Sequence, residues 1–296
     1  MKDVQQLYTV ITGASQGLGK EFARECARRN MNLILISLPD EDLEIFGTEL
    51  KETYRIQVHA HETDLTSRES IEELAAWITN NFSVNILINN AGTGGSCMFD
   101  ACSIDYLDNM IQLNVRAVTL ITRLLLPELN KHADAYILNV SSLAAFSPVP
   151  FKTIYPASKV FIHHFTLGLR AELKNTNIKV SVLNPGPIKT NSDVTNRING
   201  QSYYVKLSTL TPEVVARIGI KQLLRGKSLI IPGFWNQFNA FVIRLSPLSF
   251  RINIGTSIFR RDFHEKNRPA EINGISKNGL PNNNENEVLQ QAGRPE

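Results

Sequence analysis

Leu7-Tyr8-Thr9-Val10-Ile11-Thr12-Gly13-Ala14-Ser15-Gln16-Gly17-Leu18-Gly19 is a short apolar, β-branched run that passes directly into a glycine-rich turn. Leu18, Phe22 and Cys26 follow at helical spacing, so the turn joins a first buried strand to a first helix. Glycines at such a junction let the backbone turn tightly. They also let a pyrophosphate approach the free N–H groups at the helix N-terminus, where the helix dipole favours negative charge. The spacing is Gly13-x-x-x-Gly17-x-Gly19, which differs from the commoner Gly-x-Gly-x-x-Gly.

Working outward from this turn, similar runs recur at Asn32–Ser37, Gln57–Ala60, Asn85–Asn89, Ala135–Val140, Ile178–Leu183 and Ser228–Pro232, which makes seven strand candidates. Stretches with helical spacing, such as Ile71, Leu74, Ala75 and Ile78, lie between them. That alternation predicts a doubly wound α/β fold of Rossmann type: one seven-stranded parallel sheet with helices on both faces. The strands are near-continuously apolar, as strands buried on both faces should be. Helix starts are marked at Thr66-Ser67-Arg68-Glu69 and at Thr211-Pro212-Glu213, where a hydroxyl can cap and a proline can occupy the first turn. Residues 1–262 read as one domain. From about Lys266 the chain turns to Asn, Gly, Ser, Lys and Glu with no aromatic residue, so 263–296 is expected to be a polar, disordered tail.

The chain has 296 residues, 43% hydrophobic and 20% charged, which excludes wholesale disorder and a minimal disulfide scaffold. A formal charge of +3 with no evident basic cluster gives no reason to expect a nucleic-acid partner. Cys26, Cys97 and Cys102 show neither an even count nor a C-x-x-C spacing, so free thiols and a reducing compartment are expected. Too little chain precedes Leu7 for an export signal, and cytoplasmic residence is the expectation.

Further motifs stand in order along the chain. Asp64-Leu65 follows the third strand, Asn89-Asn90-Ala91-Gly92 ends the fourth, and Asn184-Pro185-Gly186-Pro187-Ile188-Lys189-Thr190 follows the sixth. Together with the first turn, they resemble the short-chain dehydrogenase/reductase family over most of the folded chain. The resemblance implies a nicotinamide dinucleotide held by Thr12, Gly13, Ser15, Gly17, Leu18 and Gly19, by Ser37 after strand two, and by Asp64 and Leu65 near the adenine. It likewise implies contacts from Asn90, Ala91 and Gly92, and from Pro185, Gly186, Ile188 and Thr190 near the carboxamide. Ser37 stands where a carboxylate would repel a 2′-phosphate, so NADP(H) is expected in preference to NAD(H).

Tyr155-Pro156-Ala157-Ser158-Lys159 places a tyrosine and a lysine on one face of a helix, about one turn apart. A neighbouring ammonium favours the phenolate, so Lys159 is expected to lower the pKa of Tyr155 from its usual value near 10. Ser142 leaves the fifth strand, and Asn114 lies within the apolar helix after the fourth, where an unpartnered amide would be costly. The resemblance gives these residues roles. Tyr155 protonates a carbonyl oxygen, Ser142 hydrogen-bonds it, Lys159 serves Tyr155 and the ribose, and Asn114 holds a water that leads to solvent. Pro156 departs from the family pattern and is tolerable only if Tyr155 stands in the first helical turn.

The implied activity is hydride transfer between a ketone or aldehyde and an alcohol. The alternative is a catalytically silent, cofactor-binding relative acting as regulator or scaffold. An extended-branch sugar-nucleotide epimerase shares the tyrosine and lysine, but the first turn's spacing disfavours it. His59, His61 and Glu62 fall on a strand with Glu62 facing away from the two histidines, so no metal site is expected. His163 and His164 are expected to be packing or surface residues. The segment from Phe234 to Phe259 is strongly apolar, and over 234–262 we expect a cover for an apolar, lipid- or steroid-like substrate, or a peripheral membrane contact. The family resemblance also suggests a homo-oligomer.

Overall fold

The structure, a computed structural model, describes residues 6–188 and 208–253. Seven strands form one sheet: β1 (Leu7–Thr12), β2 (Asn32–Ser37), β3 (Val58–Glu62), β4 (Ser83–Asn89), β5 (Ala135–Val140), β6 (Ile178–Leu183) and β7 (Leu229–Ile230). Their order is β3-β2-β1-β4-β5-β6-β7, and every pairing is parallel. The predicted runs are all present. The seventh is cut to two residues, because Pro232 lacks the N–H to extend a ladder and Gly233 turns the chain at φ +89.

Strand side chains alternate between two cores, as the period of two requires. Ile11, Leu33, Leu35 and Ile88 face one side, where α1 (Gly17–Ala27), α2 (Leu43–Tyr54) and α7 (Pro212–Leu224) bring Phe22, Leu50 and Ile220. Val10, Ile34, Ile36 and Leu87 face the other, where α3 (Arg68–Asn81) and α5 (Val118–Leu129) bring Ile71, Ile78, Ile121 and Leu125. Both marked helix starts are capped as expected: the Ser67 hydroxyl accepts from Ser70 N–H and the Thr211 hydroxyl from Val214 N–H.

The chain winds from β1 outward to β3, then crosses back to β4 on the other side of β1. The carboxyl ends of β1 and β4 therefore flank the switch point where an open α/β sheet presents its crevice. α4 (Ile104–Ile111) meets α5 through a π-helical segment, Gln112–Ala117, which contains Asn114. Between β5 and α6 (Ile154–Glu172) lies a 3-10 turn, Leu143–Phe146, that starts at Ser142.

Cys97 and Cys102 are joined in the loop between β4 and α4, with Cα atoms 5.8 Å apart, while Cys26 is a free, buried thiol. This corrects the expectation of free thiols throughout; residue spacing alone does not reveal that a loop folds back on itself. His59 packs on the Phe82 ring and His61 on Trp77, so both belong to an aromatic cluster. Thr190, residues 191–207 of the loop after strand six, the stretch 254–262 and the tail 263–296 lie outside the described residues. No helix among the described residues is long and apolar enough to cross a membrane.

The last described helix, α8 (Phe234–Leu245), is turned the unusual way round. Asn236 and Ala240 face inward, with Asn236 donating to the carbonyls of Ser208 and Pro232 at 2.9 Å each. Its large apolar residues face out.

Candidate active site

The first turn is shaped by close backbone approach. Gly13 sits at φ +65, and a Cβ on Gly19 would come within 1.8 Å of the Gly13 carbonyl oxygen, so neither position accepts a side chain. Thr12 and Asn90 brace the turn. The Thr12 hydroxyl accepts from the N–H groups of Asn90 and Ala91 at 3.0 Å, and the Asn90 amide donates to the carbonyls of Thr12 and Gly13. At the head of α1, Gln16 gives no side-chain cap and the first turn holds no acidic residue. Its N–H groups, through Gly17, Leu18 and Gly19, therefore suit a phosphate. Ser15 donates to Glu41 in the loop after β2, and Gln16 reaches the same carboxylate at 3.4 Å. The Ser37 hydroxyl donates to Leu38 O. Asp64 holds Thr66, while Leu65 points into the core.

Tyr155 is the second residue of α6 and Pro156 the third, so the proline falls in the first turn, where it is tolerated. The Ser142 hydroxyl stands near enough to Tyr155 to favour its phenolate. Lys159 Nζ donates to Val140 O at 3.1 Å and stands 5.7 Å from the centre of the Tyr155 ring. A Cβ placed on Gly92 would lie 3.0 Å from Asn114 Oδ1 and 3.3 Å from Lys159 Nζ, so these two groups converge over that glycine. The Asn114 amide donates to Thr93 O at 2.8 Å and to Ser158 Oγ at 3.1 Å, and its oxygen accepts from Thr93 N–H at 2.8 Å. Both N–H groups are thus engaged, which leaves one lone pair of Oδ1 for a water. Ser158 in turn donates to Tyr155 O at 2.7 Å.

The electrostatics differ from the sequence expectation at one point. Burial pushes the Tyr155 phenol above its usual 10.0, and only the Ser142 hydrogen bond works in the opposite direction. Burial also pulls Lys159 down to about 8. Desolvation penalises the charged form of each, so the phenol is raised, not lowered as spacing alone suggested.

Behind these residues runs a network that the sequence reading missed. His163 Nδ1 lies 3.1 Å from Asn184 Oδ1, and the Asn184 amide donates to Ser142 O at 2.8 Å and Ser141 Oγ at 3.1 Å. Ser141 closes the circuit by donating to Lys159 O at 2.7 Å. His163 is therefore not a plain packing residue, and burial holds its pKa below 6.5. The strand-six loop is braced from both ends: Leu143 N–H donates to Pro185 O, Ile188 bridges to Leu210, and Asn236 of α8 packs so closely on Gly186 that a Cβ there would lie 2.3 Å away.

A small cleft lies beside Tyr155, walled by Phe99, Tyr106, Leu107, Met110, Phe151 and Ile154, with Lys152, Thr153, Gly95 and the Cys97–Cys102 pair also lining it. The wall is mostly apolar. Residues 234–253 contribute nothing to it, although α8 lies against the 3-10 turn after Ser142. Gly94 presses on the Tyr155 ring: a Cβ there would fall 2.6 Å from Cδ2. A signal for Glu41 lies in Pro39-Asp40-Glu41-Asp42, just beyond Ser37 at the end of β2. Gly94 carries no signal in a single sequence.

The chain is similar to known proteins in sequence and in fold. Residues 8–200 match the family described as short chain dehydrogenase. A very-long-chain 3-oxoacyl-CoA reductase of Anas platyrhynchos is 33% identical over 217 residues, 72% of this chain and 67% of that one. A Danio rerio reductase of the same description, form A, is 33% identical over 182 residues, and this chain spans only 57% of its length. The hydroxysteroid dehydrogenase-like protein 1 of Gallus gallus is 30% identical over 80% of this chain and 70% of its own. Among solved structures, a 7beta-hydroxysteroid dehydrogenase superposes with a TM-score of 0.76 at 21% identity, covering 84% of this chain and 96% of its own. A short-chain dehydrogenase from Sphingobium yanoikuyae in complex with NADPH gives 0.70 at 24%, covering 89% and 97%. At these identities the structures establish the fold.

Proposed function

The chain belongs to the short-chain dehydrogenase/reductase family, and we propose that it interconverts an apolar ketone and its alcohol with Tyr155, Ser142, Lys159 and Asn114 as its working residues. A bound nicotinamide dinucleotide supplies or accepts the hydride. The turn through Gly13, Gly17 and Gly19 would hold its pyrophosphate, Asp64 its adenine, Asn90 to Gly92 and Lys159 its ribose, and Pro185 to Ile188 with Thr190 its carboxamide. The uncapped head of α1, and the tight turn that Gly13 and Gly19 permit by packing closely on their neighbours, fit such a guest.

In the reductive direction the Tyr155 phenol gives its proton to the carbonyl oxygen, and a high phenol pKa keeps that proton in place until charge develops there. Ser142 donates to the same oxygen and stabilises the developing negative charge. Lys159, whose pKa is about 8, exchanges a proton near working pH and can return one toward Tyr155. Asn114 fixes Ser158, and through it the start of α6, and keeps one acceptor for a relaying water.

The observation that carries the proposal is that Tyr155, with Ser142 and Lys159 beside it, lines a largely apolar cleft. The very-long-chain and steroid descriptions of relatives support an apolar substrate. For the cofactor, Ser37 at the end of β2 supports NADP(H). Glu41 favours NAD(H) as a second reading, since its carboxylate, bonded to Ser15, would repel a 2′-phosphate. The test is a panel of long-chain and steroid ketones followed by loss of reduced cofactor with NADPH and with NADH. Turnover that disappears in Tyr155→Phe is expected; cofactor binding without turnover on any ketone or alcohol would favour the silent relative.

A further inference from the structure

On α8, Phe234, Phe238, Phe241 and Leu245 fall on one helical line, and they are 74%, 50%, 61% and 70% exposed. Val242 widens the stripe, and Leu248 continues it beyond the helix at 54% exposure. The opposite side, which the fold buries, carries Asn236 and Ala240. An ordinary surface helix does the reverse and puts its apolar stripe against the core. Here the inner face is spent on bracing the loop at Gly186, and a contiguous apolar band is left in water, where it is a liability unless something covers it.

Charge identifies the cover. Every charged residue between Glu213 and Asp262 is a lysine or an arginine, a one-signed stretch that the small overall charge of +3 conceals. Two of these flank the band: the Arg244 guanidinium lies 4.3 Å over the Phe146 ring, and Arg251 donates to Phe146 O. A second copy of the chain docking face to face would set arginine against arginine with no carboxylate between them. An anionic lipid surface offers both an apolar layer for the phenylalanines and counter-charges for the arginines.

We propose that α8 is an interfacial helix that lies in the surface of an anionic bilayer, its Phe234–Leu245 stripe immersed and the exposed Arg244 at the headgroups. Because α8 packs against the 3-10 turn that begins at Ser142, docking there puts the site described above next to the lipid.

The experiment is flotation of the purified full chain with vesicles of phosphatidylcholine alone and of phosphatidylcholine with phosphatidylserine. The expected result is binding to the serine-lipid vesicles that weakens with added salt. The double variant Phe238→Asp, Phe241→Asp is expected to lower the partition coefficient on the order of a hundredfold. Its circular dichroism and melting temperature should stay unchanged, because both side chains are exposed. Ile45→Asp, at an equally exposed apolar position on α2, is the control and should bind as the parent does. A parent chain that stays out of the serine-lipid fraction overturns the proposal, as does a double variant that binds as well as Ile45→Asp. A parent dimer that the double variant dissociates, without vesicle binding, would assign the face to a second copy and overturn it equally.

Discussion

Adding one methyl group at Gly94 tests whether the placement of Tyr155 sets the rate. A Cβ built there lies 2.6 Å from Cδ2 and 2.8 Å from Cε2 of the Tyr155 ring. Ordinary carbon–carbon contact needs about 3.5–4.0 Å, so the ring must retreat by about 1 Å. Gly94 is not among the positive-φ residues, so the substitution adds no backbone strain and the effect is one of contact alone. Overpacking of this kind costs about 1–3 kcal/mol of stability. A reacting group displaced by about 1 Å can lose on the order of a hundredfold in rate. Gly94→Ala is therefore expected to lower kcat about a hundredfold on the fastest ketone of the panel. The Kd for the reduced cofactor, read by its fluorescence, should stay within about threefold, because the new methyl meets the Tyr155 ring and no residue of the glycine turn. Gly168→Ala, near the C-terminal end of α6 with nothing beyond its own helix backbone within 4 Å of the new Cβ, is the paired control. It should keep full activity and gain about 0.5–1 kcal/mol of stability. If Gly94→Ala turned over substrate within about twofold of the parent, the contact with Tyr155 would have no part in positioning it.

Tyr155→Phe keeps the ring and removes the proton donor, so turnover should fall by about 10²–10⁴ with cofactor affinity nearly intact; ordinary activity would dismiss the assigned role. Lys159→Met should abolish activity and weaken cofactor binding, yet stabilise the fold at pH 7. The folded pKa of about 8 lies below the unfolded 10.5, so the parent bears a penalty for the buried charge that is complete below about pH 8 and fades as pH rises toward 10.5. Allowing for the lost bond to Val140 O, denaturant titration should show a gain of about 1–3 kcal/mol at pH 7 that narrows by pH 10; a gain that grows with pH would contradict the sign. Glu41→Gln should improve NADPH binding relative to NADH by about five- to fiftyfold, less at high salt, and an unchanged ratio in titrations of both cofactors would remove Glu41 from the selectivity argument.

Strands whose two faces are both buried need unbroken apolar runs, and Asn32–Ser37, Ala135–Val140 and Ile178–Leu183 announced themselves to the residue. β7 did not, since its length depends on how far one neighbour can pair with it before Pro232 ends the ladder. The glycine turn was legible because few sequences satisfy its steric demands. Tyr155 and Lys159 were legible because a helix converts spacing into direction. Their pKa values were not, because burial sets both and spacing carries no information on burial. Asn184 meets Ser142 across 42 residues and Cys97 meets Cys102 through a folded loop, and both contacts are properties of tertiary packing alone. The orientation of α8 was hidden for a similar reason: composition reveals that a helix is apolar, whereas only the fold decides which side meets the sheet.

The π-helical segment Gln112–Ala117 sets the phase of everything before it. Each residue of an α-helix turns the chain by roughly 100°, and a π turn absorbs one residue more than an α turn. Deleting a single residue there would let α4 and α5 run on as one regular helix. It would also swing Tyr106, Leu107 and Met110 about a quarter-turn away from the cleft they now wall. The gain in helical regularity would come with a different cavity and with Asn114 aimed elsewhere. The irregular turn thus acts as a gear between two helices, and homologues that differ by one residue at this point would present different walls to their substrates while keeping the same sheet.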